Sequence, residues 1–121
     1  MVKQNHEMVV TVASYASSLS MPNMTDYAAS KAAALSFHEG LAAKLTTKYK
    51  TPEVRTTLII LGYTKPPPCQ GYNSDGKFRI PTSEPERIAA AIVKQVFTGR
   101  SGQVIVSCFG NLFTLFGLFR N

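Results

Sequence analysis

The most constraining feature of this sequence is a run of β-forming residues that ends in a serine and is followed, after a loop, by a helix. The run covers residues 9–14, VVTVAS, and the helical region that follows carries Tyr27 and Lys31. Because these two residues are four apart, they lie on one face of a helix, one turn from each other. Ser14, Tyr27 and Lys31 can therefore converge at the carboxyl end of a strand, where open α/β sheets bind ligands.

These three side chains have complementary chemistry. A tyrosine hydroxyl ionises near pH ~10, so it is a poor acid or base at neutral pH unless a positive charge lies close by. A lysine ammonium about 4 Å away supplies such a charge. Taken singly, Tyr27 could be a tyrosine at the edge of the core, Lys31 a solvated helix residue and Ser14 a turn residue. Their joint spacing favours a shared site.

This stretch resembles the short-chain dehydrogenase/reductase family. The resemblance rests on the apolar strand that ends in Ser14, on the tyrosine thirteen residues later, and on the Tyr27-x-x-x-Lys31 pair with the small residues that follow Tyr27, ASKAAALSF at 29–37. Within the family the chain looks most like fungal members of the retinol- and hydroxysteroid-dehydrogenase type. The resemblance implies that Tyr27 exchanges a proton with the substrate oxygen, that Lys31 assists it and binds the nicotinamide ribose, and that Ser14 hydrogen-bonds the substrate oxygen.

Further β and α segments follow the first helix, which is expected over residues 27–49 with Thr25 or Asp26 as its cap. The run VRTTLIIL at 54–61 is typical of a buried parallel strand. A second helix is expected to about residue 98, with Ser83 and Glu86 as a capping box and Gly99 as its end. Its apolar stripe is Ile88, Ala91, Ile92, Gln95 and Val96. Residues 103–107 are expected to form the last strand.

This order predicts an α/β fold, a partial Rossmann-type (doubly wound) parallel sheet of about three strands with crossover helices. We expect residues 1–108 to form the C-terminal half of the family's domain and residues 109–121 a hydrophobic tail. The eight glycines form no G-x-G-x-x-G cluster after a strand. The chain therefore looks truncated, without the N-terminal dinucleotide-binding half of the family.

Cofactor and substrate contacts are expected from the resemblance. NAD or NADP is the implied cofactor, held by Tyr27, Lys31, Gly62 and Thr64. The family has Pro-Gly-x-x-x-Thr after the second strand, whereas this chain keeps Gly62 but has Leu61 and Pro66 at the other two positions, so that Thr64 is the available hydroxyl. Residues 66–82 correspond to the substrate loop. Its Tyr72 and Phe78 either line a pocket or anchor the loop to the surface.

Two segments predict association. The helix at 27–49 has a face of small residues, which either packs against a second copy of the chain, making a homo-oligomer, or against the chain's own sheet. The residues of this face are Ala29, Ala32, Ala33, Ser36 and Gly40. The tail segment 109–119 is apolar on all sides but too short to span a bilayer, which requires about 20 residues. It could cover the substrate pocket, make peripheral contact with a membrane, or contribute to a dimer.

Composition and residue spacing argue against several other classes of protein. The net charge of +6 is scattered along the chain, unlike the dense basic stripe of a nucleic-acid interface, so no nucleic-acid partner is expected. His6 and His38 have no ligand partner at metal-binding spacing, and no metal is predicted. Cys69 and Cys108 are far apart and read as free thiols of a reducing compartment. No signal peptide is evident, and we expect a cytoplasmic protein or one peripheral to an intracellular membrane.

The function that these features favour is NAD(P)-dependent interconversion of an alcohol and a carbonyl, on a hydrophobic small-molecule substrate. The alternative is a non-catalytic remnant of the family, or an interaction and dimerisation module, that keeps Tyr27 and Lys31 by descent. The missing phosphate-binding motif and Pro66 favour the alternative for this chain alone. The intact Ser14, Tyr27 and Lys31 set favours the enzyme.

Overall fold

In the computed structural model, which describes residues 2–20, 22–64 and 83–106, three strands alternate with two helices. The elements are β1 (Glu7–Ser14), a 3₁₀ turn (Tyr15–Ser17), α1 (Thr25–Thr47), β2 (Val54–Leu61), α2 (Pro85–Phe97) and β3 (Gly102–Val106). The predicted α/β order is confirmed. The predicted substrate loop with Pro66, Tyr72 and Phe78, both cysteines and the predicted tail at 109–121 lie outside the described residues. The statements about them remain predictions.

The sheet is parallel, with the strand order β1-β2-β3. Ser14 of β1 pairs in register with Leu61 of β2, and Leu61 in turn pairs with Val106 of β3. The carboxyl ends of the described strands therefore meet at one edge of the sheet. Ser14 thus lies beside the point at which the chain leaves β2.

The central strand β2 is buried on both faces, as its continuous apolar sequence predicts. Ile59 and Ile60 point to opposite faces and are both completely buried. On one face Ile60 forms the core with Ala13 and Leu58, and Leu35 of α1 packs against this cluster. Burying an isoleucine side chain contributes about 1.5–3 kcal/mol, so this face holds α1 over the sheet.

The start of α1 differs from the prediction. Thr25 and Asp26 are inside the helix, Met24 is its N-cap residue, and no side chain caps it. The reason is Asn23, whose left-handed φ of 64° turns the chain into the helix before Thr25 is reached. Asp26 still lies in the first turn, where its negative charge interacts favourably with the helix dipole.

The predicted capping box at the start of α2 is also wrong. Glu84 is the N-cap residue, no side chain caps the helix, and Pro85 occupies the first turn. Ser83 instead belongs to a parallel bridge with Thr64, and its N–H donates to the carbonyl of Tyr63. The end of α2 is as predicted, because Gly99 adopts a left-handed φ of 62° immediately after it.

The burial of individual residues shows which face of each helix packs against the sheet. In α2 Ile88 is buried and Ala91, Ile92 and Gln95 are half-buried, as predicted, whereas Val96 is exposed. In α1 the buried positions are Ala28, His38 and Leu45. The predicted small-residue face of α1 is exposed, so it does not pack against the chain's own sheet. All five of its residues are exposed: Ala29, Ala32, Ala33, Ser36 and Gly40. Neither α1 nor α2 combines the length and apolar content that crossing a membrane requires.

Candidate active site

Ser14 is held at the end of β1 by the turn that follows it. Its side-chain Oγ accepts a hydrogen bond from the backbone N–H of Ala16 at 3.3 Å, and its backbone carbonyl accepts one from Ser17 Oγ at 2.6 Å. A serine hydroxyl has one proton to donate and two lone pairs. Because the bond from Ala16 uses a lone pair, it leaves the Ser14 proton able to point at a substrate oxygen.

Lys31 connects α1 to the strand that ends at Ser14. Its Nζ donates to the backbone carbonyl of Val12 at 3.2 Å, two residues before Ser14. The same Nζ lies 5.7 Å from the centre of the Tyr27 ring, within the ~6 Å range of a cation–π contact. One ammonium therefore contacts both the tyrosine of the helix and the strand of the serine.

Tyr27 lies in the first turn of α1 and is 41% exposed. Its backbone carbonyl accepts a hydrogen bond from Ser30 Oγ at 2.7 Å, while the next residue, Ala28, is buried under the helix. The turn Tyr15–Ser17 packs against α1. Strand, turn and helix thus bring Ser14, Tyr27 and Lys31 to the same edge of the sheet, where Tyr27 is partly exposed to solvent.

Gly62 and Thr64 lie where the chain leaves β2, on the same edge as Ser14. The N–H of Gly62 donates to the carbonyl of Val106 at 2.9 Å, and Thr64 is bridged to Ser83. The amide of Gly62 is therefore already used within the protein. Its role and that of Thr64 in cofactor binding remain predictions, and Thr64 has the better-suited group, a hydroxyl.

The sequence interpretation missed Ser17. Its hydroxyl closes the turn by bonding the Ser14 carbonyl, and so fixes the backbone from which the Ser14 side chain projects. A signal was present, because a serine three residues after another is a spacing at which side-chain to backbone bonds form in turns.

Comparison with known proteins identifies the family. The family described as short chain dehydrogenase matches residues 1–77, well over half of the chain. The chain belongs to the short-chain dehydrogenase family. The resemblance inferred from residues 9–31 is thereby confirmed, and the matched range contains Ser14, Tyr27, Lys31, Gly62 and Thr64.

Several proteins that are similar in sequence to this chain are named dehydrogenases. Dehydrogenase RED2 of Cochliobolus heterostrophus is 49% identical over 59 residues, which are 49% of this chain and 22% of the relative. Human estradiol 17-beta-dehydrogenase 11 is 34% identical over 119 residues, covering 95% of this chain and 37% of the relative. Human 17-beta-hydroxysteroid dehydrogenase 13 is 27% identical over 117 residues, covering 93% and 36%. This chain thus spans well under half the length of each of these relatives.

Proposed function

We propose that this chain carries the proton-transfer groups of an NAD(P)-dependent oxidoreductase that interconverts an alcohol and a carbonyl. The observation that supports this most directly is the placement of Lys31, whose Nζ is 5.7 Å from the Tyr27 ring centre and 3.2 Å from the carbonyl of Val12. The ammonium there lies over the ring of Tyr27, the residue proposed to exchange the proton. It also joins the proton donor to the strand that presents Ser14.

In this mechanism Tyr27 passes its hydroxyl proton to the substrate oxygen during carbonyl reduction, and takes it back during alcohol oxidation. Ser14 donates a hydrogen bond to the same oxygen, on which negative charge develops. Lys31 holds its ammonium against the Tyr27 ring, 5.7 Å from the ring centre. The 41% exposure of Tyr27 leaves room for a substrate to approach the phenol.

Hydride chemistry would be supplied by NAD or NADP when bound. The residues present fit the nicotinamide-ribose end of that cofactor, since an ammonium has three protons and the Lys31–Val12 bond uses one of them. Two remain for ribose hydroxyls. The 121-residue sequence contains no G-x-G-x-x-G motif of the kind that binds a pyrophosphate at a helix N-terminus. We therefore expect the chain alone to bind NADH and NADPH more weakly than about millimolar in calorimetric titration, and micromolar binding would contradict this.

A hydrophobic alcohol or ketone is the proposed substrate class. The names of two relatives refer to a steroid, estradiol or a 17-beta-hydroxysteroid. These names describe those proteins, and they support testing steroid and other lipid-like ketones first.

Turnover tests the proposal. Because the chain spans only part of its relatives, the assay uses two forms: the chain alone, and the chain joined behind the preceding residues of Dehydrogenase RED2. With a panel of hydrophobic ketones and NADPH or NADH, Tyr27→Phe should lower kcat by about 10²- to 10⁴-fold. Ser14→Ala should lower it by about 10²- to 10³-fold.

A matched control exists on the same helix region. Lys48 Nζ lies 5.8 Å from the centre of the Tyr49 ring, which repeats the Lys31–Tyr27 contact far from Ser14. Tyr49→Phe should therefore leave turnover unchanged. If Tyr27→Phe is as active as Tyr49→Phe, or if the joined form has no activity on any ketone, the non-catalytic alternative replaces this proposal.

Association through α1 is the second part of the proposal. The small-residue face of α1 is exposed, and a Cβ added at Gly40 would meet nothing within 4 Å. A side chain there has open space at its Cβ among the described residues, but it would block a second helix from approaching closely. Gly40→Gln should therefore shift a dimer to monomer in sedimentation experiments, while Val93→Gln on α2 should not. A wild-type monomer would refute the association.

A further inference from the structure

A buried imidazole lies under the middle of α1. His38 is only 7% exposed, and its Nδ1 is 3.0 Å from the hydroxyl Oγ1 of Thr11 on β1. A buried polar group without a partner destabilises the fold, so this hydrogen bond matters more than an exposed one would. No part of the proposed chemistry uses His38.

His38 and Lys31 tie the same face of α1 to neighbouring positions on β1. The two residues are seven apart, which is two helical turns. Lys31 donates to the carbonyl of Val12, and His38 bonds the side chain of Thr11, one residue earlier on the strand. The His38 link does not involve the ammonium that is proposed to hold the ribose.

We propose that His38 is a positioning residue: through its hydrogen bond to Thr11 it fixes α1 against β1, and so sets the placement of Tyr27 and Lys31 relative to Ser14. This inference rests on the proposed function for its purpose, but the link itself is a property of the fold. Thr11 is three residues before Ser14 on the same strand, and His38 is three turns after Tyr27 on the same helix. A shift at this link is therefore carried to both sides of the site by rigid elements.

Protonation gives a way to disturb the link without mutation. Burial lowers the pKa of His38 from its ordinary value of 6.5, and the carboxylate of Glu39 opposes this by raising it. Among the described residues, β1 presents Glu7 on the face of Thr11, and the turn after β1 contributes Tyr15. The face of β2 toward α1 has no ionisable group from Val54 to Ile60. Because the pKa lies below 6.5, acidification past that point places a positive charge on the buried imidazole at the Thr11 contact.

The experiment uses the 121-residue chain, labelled for NMR, with two variants. His38→Leu removes the hydrogen bond. His38→Asn keeps a polar atom near the position of Nδ1, does not titrate, and has a similar helix propensity. Backbone amide signals of Ser14, Ala16 and Tyr27 report on the site, and that of Val93 on α2 serves as the distant control. Each protein is titrated from pH 8 to pH 5.

In the wild-type chain the imidazole signals of His38 and the amides of Ser14 and Tyr27 should shift with one common midpoint below pH 6.5. In His38→Asn the site amides should match the wild type at pH 8 and lose that midpoint. In His38→Leu they should be displaced even at pH 8. Site amides that ignore both variants, or that keep the midpoint in His38→Asn, would overturn the proposal.

A double-mutant cycle checks the link independently. Thr11→Val and His38→Leu, made singly and together, should show a coupling of about threefold to tenfold in the unfolding equilibrium constant. Additive effects would mean that the two side chains do not interact and would overturn the proposal. Neither readout requires catalysis. If turnover is absent while the coupling is present, the proposed function fails and the positioning link stands as a feature of the fold.

Discussion

The two helices both connect parallel strands of one sheet, yet they are held to it by different forces. The helix α1 has polar links to β1 through Lys31 and His38, in addition to the packing of Leu35 on the core. The helix α2 presents a regular apolar face around Ile88. The helix that carries the candidate chemistry therefore has directional bonds to β1 in addition to burial, whereas the described contacts of α2 with the sheet centre on its apolar face. Directional bonds set a position, and burial mainly supplies stability.

The largest expected difference concerns burial in α2. Ile88 is 7% exposed, so Ile88→Ala should lower the free energy of unfolding by about 2–4 kcal/mol. Val93 is about half exposed on the same helix, and Val93→Ala should change it by less than about 0.5 kcal/mol. Urea unfolding monitored by circular dichroism measures both. Equal effects of the two substitutions would mean that α2 is not held by its apolar face.

A smaller difference concerns how the two helices end. Both are followed by a residue in the left-handed region, Lys50 at φ 49° after α1 and Gly99 at φ 62° after α2. Only glycine adopts this conformation without cost. Lys50→Gly should therefore stabilise the chain by up to about 1 kcal/mol, and Gly99→Ala should destabilise it by about 1 kcal/mol.

Space does not complicate the second substitution, because a Cβ at Gly99 would meet nothing within 4 Å. Thermal unfolding of both variants beside the wild type gives the comparison. The interpretation is wrong if Lys50→Gly destabilises the chain.

The smallest expected difference is in how the free energy of unfolding depends on pH. This dependence should arise from His38 of α1. Because the pKa of His38 is lowered in the folded chain, the unfolded chain binds more protons as the pH falls through 6.5. The free energy of unfolding should therefore fall between pH 8 and pH 5. His38→Asn should remove this contribution, and Ile88→Ala should retain it. Urea midpoints at several pH values measure the effect, and a fall of equal size in His38→Asn would assign it to other groups.

Sequence patterns predicted those parts of the molecule that depend on periodicity. The continuous apolar run of β2 was assigned correctly, as was the end of α2 at Gly99, and the stripe of α2 was correct except at Val96, which is exposed. The helix starts were not, because Asn23 and the Ser83–Thr64 bridge are set by chain direction and tertiary pairing rather than by local capping. Local capping rules cannot anticipate either constraint.

The site shows the same limit. The spacing of Ser14, Tyr27 and Lys31 gave the face and the edge on which they lie. It could not give the Lys31–Val12 bond, since that contact joins residues 19 apart in sequence. His38 was considered only as a metal ligand, because its partner Thr11 is 27 residues away. Contacts of this kind depend on strand register and helix rotation, which spacing alone does not determine.

The bond between Lys31 and Val12 also bears on solubility. Among the described strands β1 has a neighbour on one side only, and its Val10 and Val12 are 38% and 41% exposed. Exposed apolar edge strands invite pairing with other chains, and lysine is a residue with which natural edges discourage it. Lys31 occupies one backbone acceptor of this strand and places a hydrated charge beside it. The ammonium proposed to assist catalysis would thus also reduce aggregation. Light scattering should therefore rise for Lys31→Met but not for Lys48→Met.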